Sequence, residues 1–552
     1  MTDTLTIAIA QINPTVGGIE GNIALLLKAR EEAGAGGADL VVGSELVVTG
    51  YPPEDLVVKP FFIDQAEAAV RRLAESTTAD GPALLVGSPW REKGKVHNAA
   101  LLLDRGRIAA VRLKHDLPNY GVFDEKRVFA PGPLPGPIPF RGVRLGVMVC
   151  EDMWTPDAAE CLQESGAEIL IVPNGSPFEL DKHDQRVGLA VARVTETHLP
   201  LIYVNQVGGQ DELVFDGASF VLGADRSLLA QLPSFREMVA LTRWKRQGEG
   251  WGCVEGPLAK PAEGVESIYL AMLLGLRDYV NKNRFPGVLL GLSGGIDSAL
   301  TAVVAADALG PERVRAVMMP SPYTSVESLE DAAETARLLG IRLDTVSIEP
   351  AMAAFDGMLA PLFDDLPRDT TEENIQARAR GITLMALSNK FGAMVVSTGN
   401  KSEMSVGYAT LYGDMCGGYS VLKDVYKTTV FRLARWRNQE LPLSALGPGG
   451  RVIPERVIVK PPTAELKPNQ KDEDTLPPYA ILDDILHGLI EHDLSVDEIV
   501  ARGHPRETVL RVWRMVDTAE YKRRQAPPGV KITRRAFGRD RRYPITNAFR
   551  SR

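Results

Sequence analysis

The sequence predicts a two-domain α/β protein whose second domain is a doubly wound parallel sheet. The chain has 552 residues, which is too long for a single hydrophobic core. Short apolar runs alternate with helical patterns along most of its length. Near residues 246–265 this periodicity stops and Gly and Pro accumulate, as expected at a domain boundary. We therefore expect domains at 1–245 and 266–552, joined by a linker.

The first domain is predicted to contain mixed β-structure with flanking helices. Helical stretches such as IALLLKAREEAGAG separate several of its strands. Two further segments, HNAALLLDRGRIAAVRLKH and GASFVLGADRSLLAQL, are predicted hairpins that turn at Asp-Arg-Gly and Ala-Asp-Arg. The strand-like runs, each bounded by Gly, Pro or Asn, are LTIAIAQI, ADLVVGSE, PALLVGSP, VRLGVMVC, AEILIVPN and PLIYVNQV.

The second domain is predicted to have a parallel sheet. It opens with the helix VESIYLAMLLGLRDYVNKN, and long helical stretches then separate its strand-like runs. Strands that alternate with helices in this way form right-handed crossovers and hence a parallel, doubly wound sheet. The predicted strands are GVLLGLS, RVRAVMMP, RLDTVSIE and GAMVVSTG.

Composition argues against several classes of protein. The net charge of −9 is not that of a general nucleic-acid binder, whose surface would be basic. The start of the chain lacks the basic and cleavage regions of a secretory signal, and no apolar run approaches the roughly 20 residues of a membrane span. The four cysteines form no CxxC pair and the seven histidines no HExxH motif. We expect a cytoplasmic enzyme without nucleic-acid or membrane partners.

Cys150 is the first candidate catalytic residue. It ends the apolar run VRLGVMVC and precedes Glu151 and Asp152. A lone cysteine is most often a buried structural thiol, and a nucleophilic one needs a base and a cation nearby because a free thiol is scarcely ionised at neutral pH. Glu45 and Lys114, which follow two other predicted strands, could supply both.

The segments SELVVTGYPPEDL, KHDLPNYGVFDEKRVFAPG and GVMVCEDMW resemble the three motifs of the nitrilase, or carbon–nitrogen hydrolase, superfamily. This resemblance implies an α-β-β-α sandwich and a Glu-Lys-Cys triad. It assigns Glu45 as general base, Lys114 as the stabiliser of thiolate and oxyanion, and Cys150 as nucleophile. Glu125 matches the second, supporting glutamate of the family. With three motifs in order, a purely structural Cys150 is the weaker alternative.

The segment NGSPFELDKHDQR and Tyr120 are similar to glutamine-recognition segments in the glutaminase branch of that superfamily. The similarity implies that Tyr120, Ser176 and Lys182 hold the amino-acid end of L-glutamine. The alternative is that these three are ordinary surface-loop residues.

A glycine-rich turn, GLSGGIDS, joins a predicted strand to a predicted helix. Its glycines let the backbone aim N–H groups at an anion, and no lysine follows as in the G-x-x-x-x-G-K-[ST] loop. The turn resembles the SGGxDS pyrophosphate loop of the N-type ATP pyrophosphatases, although a plain strand–helix turn is the alternative. The resemblance implies that Asp297 also binds Mg²⁺, a hard cation that takes carboxylate and phosphate oxygens. The ATP-binding residues it assigns are Gly291, Leu292, Ser293, Gly294, Gly295, Ile296, Asp297 and Ser298.

Four further segments are similar to NAD synthetases: ENIQARARGITLMALSNK, VVSTGNKSEMSVGYATLYGD, LKDVYKTTVFRLA and PPTAELKPNQKDEDTLPPY. The C-terminal YKRR and RRYPITNAFR are similar as well. One departure is YGDMCGG, which stands where the short, ammonia-using synthetases have Gly-Asp-Gly-Gly, so no role is carried over to residues 411–420. The similarity assigns Thr398, Lys427 and Thr463 to ATP, Asn374, Arg378, Glu403 and Lys522 to deamido-NAD⁺, and Glu403 with Asp297 to Mg²⁺.

From about residue 5 to its end, the chain resembles the glutamine-dependent NAD⁺ synthetases. The resemblance implies that the first domain releases ammonia from glutamine, while the second activates the nicotinate carboxylate of deamido-NAD⁺ with ATP. Activation is needed because a carboxylate is a poor electrophile and AMP is a far better leaving group than oxide. The family also implies small-molecule substrates, an ammonia tunnel, and a dimer-based homo-oligomer of up to eight chains.

Two other functions share part of this pattern. An AMP-forming amidotransferase of the GMP- or asparagine-synthetase type has the same loop but a different glutaminase. A nucleotide-sensing regulatory protein with degenerate enzyme domains would not need an intact Glu45, Lys114 and Cys150 beside SGGIDS. Conversion of ATP to AMP that depends on deamido-NAD⁺ distinguishes these alternatives.

Overall fold

A computed structural model describes residues 3–77, 81–248, 250–363, 366–468 and 470–549. The chain divides into two compact units, Met1–Glu263 and Gly264–Arg552. Residues Gly250–Glu255, inside the segment predicted to be a linker, form a strand that pairs with its neighbour in the first unit. Most of that segment therefore folds with the first unit, and the division lies at its C-terminal end.

The first unit contains fifteen named strands and four α-helices among its described residues. The helices are α1 Ile19–Ala35, α2 Pro60–Glu75, α3 Asp157–Glu164 and α4 Lys182–Thr197. The strands are β1 Thr4–Gln11, β2 Leu40–Val42, β3 Ala83–Glu92, β4 Lys95–Asp104, β5 Arg107–Leu113, β6 Ile138–Phe140, β7 Val143–Val147, β8 Ile169–Asn174, β9 Leu201–Asn205, β10 Val207–Gln210, β11 Leu213–Asp216, β12 Phe220–Leu222, β13 Leu228–Gln231, β14 Met238–Gln247 and β15 Gly250–Glu255.

These elements form an α-β-β-α sandwich, as the resemblance implied. A seven-stranded sheet has the order β15-β14-β1-β2-β3-β4-β5, a six-stranded sheet has the order β13-β12-β9-β8-β7-β6, and β10 pairs with β11. Apolar side chains of α1 and α2 pack on the first sheet, and those of α3 and α4 pack on the second. A third apolar cluster joins the two inner faces. The two predicted hairpins are β4–β5 and β12–β13.

The second unit contains one parallel sheet and twelve α-helices among its described residues. The strands are β16 Val288–Gly291, β17 Val314–Met318, β18 Arg342–Thr345, β19 Met394–Ser397 and β20 Tyr419–Ser420. The helices are α5 Gly264–Lys282, α6 Ile296–Leu309, α7 Val326–Leu339, α8 Glu349–Phe363, α9 Thr370–Phe391, α10 Lys401–Val406, α11 Lys427–Gln439, α12 Glu455–Val459, α13 Tyr479–Glu491, α14 Val496–Val500, α15 Arg506–Thr518 and α16 Glu520–Arg523.

The strand order of this sheet, β18-β17-β16-β19-β20, confirms the predicted doubly wound fold. All four strand pairs are parallel. The chain leaves β16 toward β17 on one side and reaches β19 on the other side, so the direction of winding reverses between β16 and β19. In open α/β sheets ligands bind at this point, beyond the carboxyl ends of the strands.

At two positions the backbone packs so closely against another segment that only glycine fits. Gly87 in β3 lies against the turn after β2, because a Cβ atom on Gly87 would be 2.2 Å from the Leu46 nitrogen. Gly294 has a φ of +83°, and a Cβ atom there would be 2.3 Å from the Ser328 carbonyl oxygen. Glycine is required at both positions because no other residue fits the space.

Within the described ranges, no helix has both the length and the apolar character needed to cross a lipid bilayer.

A buried ion pair fixes the core of the second unit. Arg437 in α11 donates to both carboxylate oxygens of Asp307 in α6, at 2.6 and 2.9 Å, and both side chains are inaccessible to solvent. The Tyr269 hydroxyl of α5 donates to the same carboxylate. Because a charge buried without its partner is costly, this pair ties three helices into one arrangement.

We expect Asp307→Ala to destabilise the second unit by about 3–5 kcal/mol, since it leaves the Arg437 guanidinium buried without a carboxylate. Denaturant or calorimetric unfolding of the full chain measures the change. As a control, Asp497→Ala removes the partner of Arg506 from an exposed pair and should cost less than about 1 kcal/mol. Equal unfolding free energies for the two variants would contradict the role of the buried pair.

Candidate active sites

The first unit holds a buried cluster of charged side chains built on strand ends. Lys114, directly after β5, donates from Nζ to Glu45 Oε1 at 2.7 Å and to Glu125 Oε1 at 3.0 Å. Glu45 lies in the turn after β2, and neither its side chain nor that of Lys114 is exposed. Glu45 also accepts hydrogen bonds from the Asn98 side chain at 2.7 Å and from the Gly175 N–H at 2.8 Å. Both of its carboxylate oxygens are therefore held.

Two opposing effects set the protonation of this cluster. Burial alone would lower the pKa of Lys114, but the carboxylates of Glu125 and Glu45 hold this pKa well above its usual range. Burial raises the pKa of Glu125 to about 7, against the opposing attraction of Lys114. Glu125 also accepts from the Tyr51 hydroxyl at 2.8 Å. Lys114 is therefore a permanent cation, while Glu125 can hold or release a proton near neutral pH.

Cys150 begins a 3₁₀ turn, Cys150–Met153, just after β7. Its φ of +48° is unusual for a side chain with a Cβ atom and places the thiol on a sharp strand-to-helix bend. Burial, followed by the charge of Glu45, raises the pKa of the Cys150 thiol well above its usual value, and Lys114 opposes this. The resting cysteine is thus a thiol, which needs a base to become a nucleophile.

Asp152 connects the segments that carry Cys150 and Lys114, and the sequence analysis assigned it no role. Its carboxylate accepts from the backbone N–H groups of His115 and Asp116, at 2.9 and 2.7 Å, and from that of Val149 at 2.9 Å. In the sequence, its position two residues after Cys150 could have indicated that it belongs to the site.

Two of the residues predicted to bind glutamine, Tyr120 and Lys182, lie around Glu151, the neighbour of Cys150. The Tyr120 hydroxyl donates to the Glu151 carboxylate at 3.0 and 3.1 Å. The Lys182 ammonium lies 4.6 Å from the ring centre of Trp154, and its charge acts on Glu151. Glu151 was missed by the sequence analysis, although it adjoins the nucleophile.

Ser176 is held more deeply. Its hydroxyl accepts from Arg186 Nε at 3.0 Å, and Arg186 also pairs with Asp216 at 2.8 Å. Arg186 and Asp216 are buried, so the loop that carries Ser176 rests on a rigid ion pair.

The second unit has a pocket of about 290 Å³ at the switch point between β16 and β19. The whole predicted loop from Gly291 to Ser298 lines this pocket. Four other predicted residues line it too: Thr398, Glu403, Lys427 and Thr463.

Serine hydroxyls close the glycine loop. Ser298 Oγ accepts from the Ser293 N–H at 3.2 Å and contacts Ser293 Oγ at 3.0 Å, while the Gly295 N–H donates to Ser293 Oγ at 3.3 Å. The loop ends at the first turn of α6, for which Gly295 is the N-terminal cap. This geometry suits an anion, because backbone N–H groups and the positive end of a helix dipole lie together.

Asp297 belongs to a network with one ammonium and two carboxylates. Lys427 donates to Asp297 Oδ2 and, at 3.3 Å, to Glu403 Oε1. Asn400 caps α10 by accepting from the Glu403 N–H, and its amide donates to Asp297 Oδ1 at 3.0 Å. Burial raises the pKa of Glu403 to about 8, with Asp297 adding to the rise and Lys427 opposing it.

The carboxylate oxygens of Asp297 and Glu403 are suitable ligands for an Mg²⁺ ion that also binds phosphates. Over the described part of the chain, no cluster of three or more His, Cys, Asp or Glu side chains is arranged for a metal ion. Mg²⁺, however, commonly takes one or two carboxylates and completes its shell with substrate phosphates and water. Asp297 and Glu403 already share one cation, the ammonium of Lys427, beside the glycine loop.

The remaining predicted residues, Asn374, Arg378 and Lys522, do not line the pocket but meet the segment 407–411. Asn374 accepts from the Thr410 hydroxyl at 2.8 Å, and Arg378 donates to the Leu411 carbonyl at 3.2 Å. Lys522 donates to the carbonyls of Gly407 and Ala409 at 2.8 and 2.6 Å. The structure thus groups these three residues around one backbone segment.

Several pocket residues were missed by the sequence analysis. Lys460 donates to the Ser328 hydroxyl at 2.6 Å, and Glu465 accepts from the same hydroxyl at 2.7 Å. Glu465 lies within the segment PPTAELKPNQKDEDTLPPY, whose similarity to NAD synthetases was used to assign a role only to Thr463. Within residues 411–420, to which no role was carried over, Gly413, Asp414, Met415 and Cys416 line the pocket.

Two sequence families match the chain, one for each unit. The carbon-nitrogen hydrolase family matches residues 6–248, and the NAD synthase family matches residues 268–526. The first match spans the sandwich with the Lys114 cluster, and the second spans the sheet with the glycine loop.

Curated relatives match over the full length. The chain is 52% identical to the glutamine-dependent NAD(+) synthetase of Rhodobacter capsulatus, with 100% of both chains covered. It is 45% identical to that of Acinetobacter baylyi, covering 99% of this chain and 98% of the relative.

Solved structures agree with these relatives. The glutamine-dependent NAD⁺ synthetase of Acinetobacter baumannii, solved in complex with ADP, has a TM-score of 0.79 at 44% identity, with 99% of each chain covered. The enzyme from Cytophaga hutchinsonii has a TM-score of 0.81 at 22% identity, covers 99% of this chain and 98% of its own, and shares the fold. Two matched domains and full-length identity lead to one conclusion: the chain belongs to the glutamine-dependent NAD⁺ synthetases, ligases that pair a glutaminase domain with an NAD synthase domain.

Proposed function

We propose that Cys150, Glu45 and Lys114 hydrolyse glutamine in the first unit, and that the pocket around Asp297 amidates deamido-NAD⁺ in the second. The observation that carries this proposal is the Lys114 ammonium, buried and shared between Glu45 and Glu125 beside the Cys150 thiol. A buried ammonium, its carboxylates and a thiol whose charges act on one another have no structural necessity, because an apolar core would be cheaper.

The triad would work by covalent catalysis. Glu45 takes the thiol proton as Cys150 Sγ attacks the glutamine carboxamide carbon, and Lys114 stabilises the negative oxygen of the tetrahedral intermediate. Glu45 then returns the proton to the departing nitrogen, so the C–N bond breaks and ammonia leaves. Water, deprotonated by Glu45, hydrolyses the thioester and releases glutamate.

The groups around Glu151 suit the other end of glutamine. A free amino acid carries an ammonium and a carboxylate, and the Glu151–Lys182 pair offers a charge complementary to each. Tyr120 and Ser176 add hydroxyls that can donate or accept. We assign recognition of glutamine to Tyr120, Ser176 and Lys182, with Glu151 added from the geometry.

The loop from Gly291 to Ser298 is proposed to bind the phosphates of ATP through its N–H and hydroxyl groups. Thr398, Lys427 and Thr463 would hold the rest of the nucleotide, while Asn374, Arg378 and Lys522 would hold deamido-NAD⁺. Asp297 and Glu403 would hold Mg²⁺, which neutralises phosphate charge when bound. The nicotinate carboxylate attacks the α-phosphorus and diphosphate leaves; ammonia then attacks the activated carbonyl and AMP leaves.

The proposal includes a homo-oligomer. Helices α8 and α9 expose large apolar side chains, and a second copy of the chain is the partner we expect on this surface. The exposed residues are Met358, Leu362, Ile382, Met385 and Phe391. All four cysteines are free thiols, as expected of a reducing compartment, so we assign the enzyme to the cytoplasm.

Cys150→Ala should lower glutamine-driven NAD⁺ synthesis by at least about 10³-fold, because the nucleophile is lost, and should spare synthesis driven by ammonium. Cys161→Ala, which removes a half-buried free thiol of α3, is the matched control and should leave both activities intact. Retained glutamine-driven synthesis in the Cys150 variant would contradict the assignment of the nucleophile.

Asp297→Ala should lower synthesis from both nitrogen sources by at least about 10²-fold, because it removes a carboxylate proposed to hold Mg²⁺ beside the phosphates. Glutamine hydrolysis by the same variant should remain detectable, which separates the two sites. Asp297→Asn keeps the shape of the side chain and should be nearly as inactive. Synthesis at the normal rate from either source would argue against a role of Asp297 in the reaction.

The requirement for Mg²⁺ should depend on pH. Glu403, with its pKa of about 8, is protonated below that pH and can act as a metal ligand only above it. The Mg²⁺ concentration for half-maximal ammonium-driven synthesis should therefore fall about tenfold between about pH 7 and about pH 9. Glu403→Gln should need more Mg²⁺ at every pH and show no such trend. A wild-type requirement that does not change with pH would contradict the proposed ligand.

A further inference from the structure

We propose that Asn98 is a positioning residue of the glutamine-hydrolysing site, which holds the Glu45 carboxylate in the orientation that takes the proton of Cys150. The inference rests on the proposed roles of Glu45 and Cys150. Asn98 lies in β4, the strand between β3 and β5, and its side chain is fully buried.

Asn98 contacts all three charged residues of the cluster, two through their carboxylates and Lys114 through its backbone. Its backbone carbonyl accepts from the Lys114 N–H at 2.8 Å. Its side-chain amide donates to Glu45 Oε1 at 2.7 Å and reaches Glu125 Oε2 at 3.5 Å. One residue therefore fixes the backbone of the cation and binds the carboxylate proposed as the base.

The contacts of Glu45 distinguish its two oxygens. Oε1 accepts from Lys114 and from Asn98, each at 2.7 Å, whereas Oε2 accepts only the Gly175 N–H at 2.8 Å among the described contacts. A carboxylate oxygen offers about two lone-pair directions, so Oε1 is filled and Oε2 retains one. Oε2 is therefore the oxygen that receives the thiol proton. Without the Asn98 amide, Oε1 would compete for this proton and the carboxylate could rotate.

Asn98 also acts on the distribution of charge. Two carboxylates share one ammonium here, so their mutual repulsion favours a proton on one of them. The Asn98 amide lies at 2.7 Å from Glu45 but at 3.5 Å from Glu125, and burial raises the pKa of Glu125 to about 7, so Glu125 is the carboxylate that can hold the proton. The other titratable groups that act on this cluster include Lys114, Tyr51, Tyr120, Cys150, Glu151 and Asp152.

The test measures glutamine hydrolysis by the full chain, monitored as the release of glutamate over a range of pH. Asn98→Ala should lower kcat about 10- to 100-fold, less than the loss of the nucleophile itself, and leave KM within about twofold. The acidic side of its kcat/KM profile should differ from that of the wild type, because the Asn98 amide no longer donates to the carboxylate that takes the proton.

Asn98→Asp keeps the shape of the side chain and provides a second test. An ionised aspartate cannot donate to Glu45, whereas a protonated one can, so the activity of this variant relative to the wild type should fall as pH rises. A merely structural asparagine would give a constant ratio, and a constant ratio overturns the proposal.

Asn22→Ala is the matched control. Asn22 is buried in the same unit, and its described side-chain bonds go to the backbone of Thr15 and Val48. This variant should lose stability but keep the wild-type pH profile. If Asn98→Ala keeps the wild-type pH profile, whatever the size of its kcat, Asn98 does not have the proposed role. Cys150→Ala, assayed in parallel, separates the two hypotheses: if it still hydrolyses glutamine the proposed function fails, and if it is inactive while Asn98→Ala behaves as wild type only the Asn98 inference fails.

Discussion

The first unit depends on one buried ammonium. Lys114 has no exposure to solvent and contacts two carboxylates, Glu45 at 2.7 Å and Glu125 at 2.9 Å. An unpaired charge at this depth would be very costly, so the sandwich can close around Lys114 only with a carboxylate beside the ammonium. The segments that carry them come from the ends of β2 and β5 and the loop after β5, which explains why the site lies where strands end. The chemistry and the packing of this unit therefore share one constraint.

In the second unit, the topology of the sheet sets the position of the site. The glycine loop follows β16 and Thr398 follows β19, the two neighbouring strands between which the sheet reverses its winding. Gly294 packs directly on the Ser328 carbonyl, and Ser328 in turn binds Lys460 and Glu465. The loop is thus supported by a polar cluster that lines the same pocket.

Much of both sites could be predicted from the sequence because catalytic residues at strand ends lie in short local motifs. The Glu45, Lys114 and Cys150 segments and the SGGIDS loop were recognised in this way. Asn98 was not recognised, because it lies inside an apolar strand, HNAALLL. A polar residue in such a strand looks like one that simply points to the other face of the sheet. Its role arises from contacts with residues 53 and 27 positions away, which no local pattern encodes.

Strand β15 was missed for a related reason. The stretch GEGWGCVEG is rich in glycine and has the composition of a linker, yet Gly250–Glu255 pairs with β14 at the edge of the seven-stranded sheet. Trp251 and Cys253 are buried between the two sheets, and their burial outweighs the low strand propensity of the glycines.

The two units use the same arrangement, one lysine between two carboxylates, with opposite accessibility. Around Lys114 the cluster is sealed, so its ion pairs stay fixed and only protons can move. Around Lys427 the carboxylates of Asp297 and Glu403 keep 17% and 18% of their side-chain surface exposed and face an open pocket. A cation that arrives with phosphates can reach both carboxylates from the pocket that they line. Burial therefore decides what each cluster can do: the closed one suits proton transfer during hydrolysis, and the open one suits the binding and release of charged substrates.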